Sequence, residues 1–206
     1  MIPIPPDNRI LYYRRDRASF GFLSHFHPSP IVIDGEAWPT AEHFYQAQKS
    51  PSHAYRAAIR AAEHPGHVKR LSAPPGGKAR LAKGSWFTAN GKAPRADWHG
   101  VRLDVMRRAD QAKYAQNPEL ATLLLATGDV ELVEDSQSDA FWGIGKDGTG
   151  ANWGGRILME IRTDFRLSSV GCAADMQSQA TSCNARQEYV PVTALLLSTG
   201  GASCEQ

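Results

Sequence analysis

Apolar residues at helical spacing dominate the chain from residue 53 to residue 165. In residues 97–116 they recur every three or four positions, as on one face of an amphipathic helix: Val101, Val105, Met106, Ala109 and Ala112. Pro118 ends this helix, because the residue before a proline avoids helical backbone angles. Similar patterns predict helices over residues 53–63, capped by Ser52 and stopped at Pro65-Gly66, and over residues 119–126 and 154–165.

Strand-like patterns are confined to short segments. Residues 31–33 precede an Asp34-Gly35 turn, residues 130–134 are typical of a short strand, and residues 21–26 are expected to join the same sheet. The elements do not alternate as strand, helix, strand, and no Gly-x-Gly-x-x-Gly follows a strand, which argues against a Rossmann fold. The expected class is mainly α (α+β): a compact helical domain with a small β-sheet.

The twelve residues Trp38-Pro-Thr-Ala-Glu-His-Phe-Tyr-Gln-Ala-Gln-Lys49 combine a helix start with an unusual polar stripe. The Pro-Thr pair suits a first turn, where a missing N–H costs little and a hydroxyl caps a free donor. At about 100° per residue, Glu42, Gln46 and Lys49 fall within roughly 60° of one another, beside His43. Such a stripe is either a salt-bridged surface or the wall of a polar cavity.

Composition sets the domain boundaries. The 206 residues, 42% hydrophobic and 21% charged, fit one globular domain with a tail. A net charge of +2 is too small to indicate a general nucleic-acid binder, although residues 78–83 form a short basic segment. After Leu167 the chain becomes rich in Ser, Ala, Gln and Thr. We therefore expect a catalytic domain over residues 1–166 and a low-charge, flexible tail over residues 167–206.

Cysteine and histidine positions argue against metal and disulfide chemistry. Cys172, Cys183 and Cys204 are odd in number and widely spaced, which is unlike a disulfide framework or a zinc site. The seven histidines contain no His-x-x-x-His pair, so neither a metal nor another cofactor is expected. With no run of about 18 apolar residues and no signal-peptide pattern, a cytoplasmic or nuclear location is expected.

Residues 134–155 form a second chemically dense region, with six glycines. The region also holds the carboxylates Glu134 and Asp139, the aromatic Trp142 and the amide Asn152. Glycine N–H groups at a helix start can cradle an anion, an aromatic ring can stack on a base, and a carboxylate can hold ribose hydroxyls or exchange a proton. The alternative is a tight turn around a packed tryptophan, and composition supports the two equally.

The two regions belong to a longer series of motifs. The series runs Phe22-Leu-Ser-His-Phe26, Trp38 to Lys49, Arg95-Ala-Asp-Trp98, Val101-Arg102, Met106, Leu125-Ala-Thr-Gly128, Leu132-Val-Glu134, Asp139-Ala-Phe-Trp-Gly-Ile-Gly145, Asn152-Trp-Gly-Gly155 and Leu158-Met-Glu-Ile-Arg162. In this order, over about residues 20–165, it resembles the NADAR (YbiA-like) domain family. One position departs from the pattern: His25 stands where the family's first motif usually has Asn.

The resemblance implies an N-glycosidase acting on ribosylated or ADP-ribosylated bases, with Glu42, Lys49 and Asp139 as catalytic residues. Glu42 is expected to stabilise the oxocarbenium ion or act as a base, and Asp139 to hold ribose hydroxyls or share proton transfer. Lys49 is expected to act as a Schiff-base nucleophile or as a cation. Expected ligand-binding residues are Ser24, His43, Gln46, Trp142, Gly143, Asn152 and Gly154. For His43, Trp142 and Asn152 a purely structural role is an open alternative.

Three functions compete at this point. The first is removal of ADP-ribose from modified guanine, with an ADP-ribose-containing small molecule or an ADP-ribosylated nucleic acid as partner and a monomer as default. The second is hydrolysis of the early ribosylamino-pyrimidine phosphates of riboflavin synthesis. The third is an ADP-ribose-binding module without catalysis, which the presence of Glu42, Lys49 and Asp139 together disfavours. All of them require the polar stripe and the glycine-rich region to meet around one ligand.

Overall fold

The computed structural model describes residues 6–13, 19–75 and 84–184, with side chains up to residue 168. Its helices are α1 (Ala41–Ala47), α2 (His53–Arg60), α3 (Pro65–Leu71), α4 (Trp86–Ala89), α5 (Trp98–Gln116), α6 (Pro118–Ala126) and α7 (Trp153–Asn184), with one 3-10 turn at Gly21–Leu23. The strands are β1 (Arg9–Tyr12), β2 (Ile31–Ile33), β3 (Glu36–Trp38) and β4 (Glu131–Glu134). The predicted class, mainly α with a small β component, is confirmed. Among the helices of these ranges, none has the length and apolar character that a membrane span needs.

The chain divides into two units, Met1–Leu167 and Ser168–Gln206. The first unit holds all the elements up to and including the first part of α7. Residues 185–206 and the basic segment at residues 78–83 lie outside the described residues. The flexible tail therefore stays a prediction.

Two helix starts predicted from hydroxyl residues are confirmed. The Thr40 side chain accepts a hydrogen bond from the His43 N–H and caps α1, and Ser52 does the same for the Tyr55 N–H at α2. α1 ends at Ala47, so Lys49 follows the helix instead of lying in its last turn.

The Pro65-Gly66 pair was predicted to stop a helix, and that prediction is wrong. α2 ends earlier, at Arg60, and Pro65 is the first residue of α3. The reason is positional, since proline is well tolerated where a helix N–H has no partner, and the His64 side chain caps the turn by accepting from the His67 N–H.

The small β component consists of two separate pairs of strands. β2 and β3 form an antiparallel hairpin whose turn residues, Asp34 and Gly35, have φ of 54° and 75°, the left-handed angles that a tight hairpin turn needs. β1 and β4 run parallel, with Tyr12 opposite Glu134 at their carboxyl ends. The strand predicted at residues 21–26 is wrong, because Gly21–Leu23 forms a 3-10 turn there.

Helix α5 lies between the two apolar clusters of the first unit and contributes to both. Met106 and Tyr114 pack with β1, β4 and α7, whereas Ala109 packs with the hairpin, α2 and Phe87 of α4. α1 is divided in the same way, with Tyr45 in the first cluster and Phe44 in the second. The remaining side of this short helix carries Glu42 and Gln46, which are buried although they are polar.

The start of α7 packs so closely on β4 that only glycine fits at position 155. A Cβ added to Gly155 would overlap the Leu132 carbonyl oxygen, whereas a Cβ at Gly100 in α5 would meet nothing within 4 Å. We expect Gly155→Ala to lower the free energy of unfolding by about 1–3 kcal/mol and Gly100→Ala to leave it equal or raise it by up to about 1 kcal/mol. Urea denaturation of both variants measures this difference, and equal midpoints would contradict the close packing.

Candidate active site

A cavity of about 580 Å³ lies where α1, α3, the carboxyl ends of β1 and β4 and the glycine-rich loop come together. Six of the residues predicted as functional line it: Ser24, Glu42, Gln46, Lys49, Asp139 and Trp142. The polar stripe is therefore a cavity wall, and residues of the glycine-rich region line the same cavity. The roles predicted for these residues stay predictions.

The α1 wall presents a buried carboxyl group next to a buried amide. Gln46 Nε2 donates to Glu42 Oε1 at 2.8 Å, one helical turn apart, and each residue is 5% exposed. Burial raises the pKa of the Glu42 carboxyl, against the nearby charge of Lys69 and the hydrogen bond from Gln46. Gln46 Oε1 is buried and has no partner among the described residues, which leaves one acceptor of this wall unsatisfied.

Lys49 reaches the cavity from the end of the same segment. Its Nζ donates to the Ser72 carbonyl oxygen at 3.2 Å and lies 5.7 Å from the centre of the Trp98 ring. Burial lowers the pKa of Lys49 to about 8, against the attraction of Glu42 and with the help of repulsion from Lys69. At neutral pH roughly one molecule in ten then has an uncharged amine at this position, which is the form that acts as a nucleophile.

Two further polar residues of the cavity lining lie at the ends of paired strands. Glu134 Oε2 and the Tyr12 hydroxyl are both buried, and within the described part of the chain neither has a hydrogen-bond partner. Burial, partly opposed by the charge of His25, raises the pKa of the Glu134 carboxyl to about 7. Glu134 can thus hold or release a proton near neutral pH.

Asp139 and Trp142 form the edge of the cavity on the glycine-rich loop. Asp139 Oδ1 accepts from the main-chain N–H groups of Phe141 and Trp142, each at 3.0 Å, which fixes the turn that carries the indole. The indole packs edge-on against Tyr45, with ring centres 5.4 Å apart, and also lines the cavity. Packing and ligand contact are therefore compatible for this tryptophan.

The structure does not bring His43 or Asn152 to the cavity. His43 Nδ1 is 2.8 Å from Thr40 Oγ1 and its Nε2 is 3.1 Å from the Ala62 carbonyl oxygen, so both ring nitrogens are bonded within the protein. Asn152 bonds the backbone of β4 with both side-chain atoms, at 2.9 Å each. Its φ of 51° is the left-handed angle that points the side chain back at the strand.

Gly143 and Gly154 also face protein atoms instead of the cavity. A Cβ at Gly143 would overlap the Glu134 carbonyl oxygen, and one at Gly154 would overlap Glu134 Oε2 and approach the Tyr12 hydroxyl. The absent side chains therefore serve close packing against the end of β4, and the structure gives no support to a phosphate cradle at these glycines.

Several residues that line the cavity were not predicted as functional. Lys69 lies on α3, a helix that the pattern of residues did not reveal, although a proline one position after a capping residue is a recognisable helix start. His25 lines the cavity and bonds the buried Asp110 at 2.9 Å. Within the described residues, no group of three or more His, Cys, Asp or Glu side chains is placed to hold a metal ion.

The raised pKa of Glu134 has a consequence for stability. The folded protein binds more protons than the unfolded chain between about pH 4.5 and 7, so the free energy of unfolding falls as the pH rises through this range. We expect Glu134→Gln to be more stable than the parent by about 1–3 kcal/mol at pH 8 and equally stable at pH 4.

Denaturation with urea at the two pH values measures this difference. The control is Glu131→Gln, on the same strand but exposed in an ion pair with Arg9, where we expect a change below about 1 kcal/mol. The same change in the Glu134 variant at both pH values would contradict a carboxyl that holds a proton in the folded state.

Comparison with known proteins places this geometry in a family. The NADAR domain model matches residues 11–166. A riboflavin biosynthesis protein of Vibrio vulnificus is 39% identical over 156 residues, which cover 76% of this chain but only 38% of that protein. The N-glycosidase YbiA of Escherichia coli is 41% identical over 148 residues, covering 72% of this chain and 83% of YbiA. An NMR structure of E. coli YbiA superposes with a TM-score of 0.68 at 35% identity, over 82% of this chain and 92% of the other. This chain belongs to the NADAR domain family.

Proposed function

We propose that the chain is an N-glycosidase that hydrolyses the C1′–N bond of a ribosylated base, with ADP-ribosylated guanine as its preferred substrate. The observation that carries the proposal is the convergence of Glu42, Glu134 and Lys49 on one cavity. Breaking a glycosidic bond to nitrogen needs negative charge near C1′, a proton for the leaving base and a nucleophile. These three side chains offer all three capacities, and the name of the E. coli relative agrees with this chemistry.

Lys49 is the proposed nucleophile. Its uncharged Nζ forms a bond to C1′ while the bond from C1′ to the base nitrogen breaks, and the electron pair of that bond leaves with the base, which takes up a proton. The ribose ring then opens to an imine with Lys49, and water hydrolyses the imine to the free sugar aldehyde and the amine. A partly buried amine with a pKa of about 8 suits this task better than an exposed lysine would.

The carboxyl groups divide the remaining work. Glu42 is hydrogen-bonded by Gln46, and its charge attracts the Lys49 ammonium. It is proposed to stabilise the positive charge that develops at C1′. Glu134, which also lines the cavity, is proposed to bind a ribose hydroxyl. Asp139 is proposed to complete the ribose site from the loop. Its Oδ1 accepts from two main-chain N–H groups, which hold the carboxylate in a fixed position for this contact.

The preference for an ADP-ribosyl group rests on size and charge. A volume of about 580 Å³ lies in the middle of the range of cavities that hold drug-sized ligands. Lys69 and His64 line the cavity on the α3 side and suit an anionic diphosphate. The guanine of the substrate is proposed to stack against Trp142.

A second candidate substrate is a ribosylamino-pyrimidine phosphate of riboflavin synthesis. It is favoured by the name of the Vibrio relative, a riboflavin biosynthesis protein of which this chain matches 38%. The same Lys49 and carboxyl chemistry serves both substrates, because the bond that breaks is the same. They differ in whether the site must also hold an adenosine diphosphate.

Product release decides between these candidates. The protein is incubated with an ADP-ribosylated guanine oligonucleotide and, separately, with the ribosylamino-pyrimidine phosphate, and the free base is measured by chromatography. We expect faster release, compared as kcat/KM, from the modified guanine. Faster release from the pyrimidine would make the second candidate the preferred substrate. Binding of ADP-ribose without release of base from either substrate would overturn the enzymatic function in favour of a binding module.

A further inference from the structure

His25 and Asp110 form a buried pair beside the proposed reaction site that the chemistry above does not use. His25 is 7% exposed and lines the cavity, and Asp110, on α5, is fully buried. His25 Nε2 lies 2.9 Å from Asp110 Oδ2. Because Asp110 engages Nε2, the other ring nitrogen, Nδ1, is the one available to exchange a proton with the contents of the cavity.

The backbone around His25 is held from two sides. The His25 carbonyl oxygen accepts from the Glu42 N–H at 3.1 Å, which ties it to the α1 wall. Lys113 Nζ, also fully buried, donates to the carbonyl oxygens of Phe22 and Ser24 at 2.6 and 3.0 Å. The imidazole is therefore fixed in place before any ligand binds, as proton transfer at a defined atom requires.

The charges around His25 favour its protonated form. Burial by itself lowers the pKa of His25, but the charge of Asp110, its hydrogen bond and the charge of Glu134 together outweigh both burial and the repulsion from Lys113, so the net shift is upward. Glu42 also interacts electrostatically with this imidazole. The protonated imidazole is thus favoured by nearby carboxyl groups in the wall of the cavity.

We infer that His25, oriented by Asp110, donates the proton that the departing base nitrogen needs. This inference rests on the proposed function. As the bond from C1′ to the base breaks, its electron pair stays on the base nitrogen, which takes the proton from His25 Nδ1. His25 is left neutral and still bonded to Asp110, and the water that hydrolyses the imine returns a proton to it.

The position of the ring supports this assignment over Glu134 as the acid. The His25 ring lies edge-on to Trp142 with centres 6.3 Å apart, so it borders the surface proposed to stack on the base. Its orientation is fixed by a buried carboxylate, whereas Glu134 Oε2 has no partner among the described residues. The imidazole therefore borders the surface proposed for the base and has a fixed orientation.

The test measures how the loss of His25 depends on the leaving group. The parent and His25→Gln are assayed on the substrate that the parent cleaves and on analogues whose bases carry electron-withdrawing groups and leave with less need of a proton. We expect His25→Gln to lower kcat at least about 100-fold on the normal base, with this loss shrinking to below about 10-fold on the most activated base. Asp110→Asn, a positioning change, follows the same trend with a smaller loss.

Binding of ADP-ribose, or of ribose 5-phosphate if the pyrimidine is the substrate, serves as the folding control and is expected to stay within about threefold of the parent. An equal loss of kcat on all bases, or no loss on the normal base, overturns the role of His25 and leaves the proposed function standing. A parent protein that releases none of the bases overturns the proposed function and this inference together.

Discussion

Lys49→Met is expected to lower turnover by about 10³-fold or more, because it removes the nucleophile and leaves only the electrostatic contribution of the carboxyl groups. Lys49→Arg keeps the positive charge but is expected to be equally inactive. A guanidinium does not lose its proton near neutral pH, so it cannot act as the nucleophile. Steady-state release of the base measures both variants. Activity within tenfold of the parent in the arginine variant would mean that position 49 contributes only a cation.

The chain offers a matched control for this change. Lys92 Nζ lies 5.7 Å from the centre of the Trp86 ring, the same distance that separates Lys49 Nζ from the Trp98 ring, but Lys92 does not line the cavity. Lys92→Met should leave turnover unchanged. If it lowers turnover as much as Lys49→Met, loss of a lysine–tryptophan contact and not of a nucleophile explains the effect.

Lys49→Met is also expected to stabilise the fold. Folding lowers the pKa of Lys49 from its ordinary 10.5 to about 8, so below pH 8 the folded protein holds a charge that the unfolded chain accommodates more easily. Lys49→Met should therefore raise the free energy of unfolding at pH 7 by about 1–3 kcal/mol. Lower activity together with higher stability would distinguish a strained functional lysine from a structural one.

Glu42→Gln is expected to lower kcat by about 10²–10⁴-fold with little change in KM. The substitution keeps the size of the side chain but removes the charge that opposes the positive charge at C1′, which develops only in the transition state. Kinetics of base release separate the two parameters. A raised KM with an unchanged kcat would instead mean that Glu42 binds the ground state of the substrate.

A second carboxylate provides the control for Glu42. Glu36, on β3, forms ion pairs with Arg56 and Arg60 and does not line the cavity. Glu36→Gln should leave kcat unchanged and alter the free energy of unfolding by less than about 1 kcal/mol. A comparable loss of kcat in both variants would point to a general effect of net charge.

Elements determined by local sequence could be predicted, and elements that depend on distant partners could not. The apolar period of α5 and the caps of α1 and α2 are local features, and the structure agrees with them. β1 was missed because a strand of four residues forms only by pairing with a distant partner. Its partner is β4, and the paired residues Arg9 and Glu131 are 122 positions apart. α3 was missed because Pro-Gly was interpreted as a stop when its position made it a start.

The same distinction applies to the site. Glu42, Gln46 and Lys49 could be grouped by helical geometry within one short segment, and the resemblance supplied Asp139 and Trp142 on the other side. The His25–Asp110 pair joins positions 85 apart in sequence, and no periodicity of either segment points to it. The glycines at positions 143 and 154 were assigned to a ligand because composition cannot distinguish close approach to a phosphate from close approach to a strand.

The most direct test of the account is to trap the sugar on the protein. The parent is mixed with the substrate in the presence of borohydride, which reduces an imine to a stable amine, and the protein is digested and analysed by mass spectrometry. The account predicts that the reduced ribosyl adduct lies on the peptide containing Lys49 and is absent from Lys49→Met. Full release of the base with no adduct on Lys49 would contradict covalent catalysis by this residue.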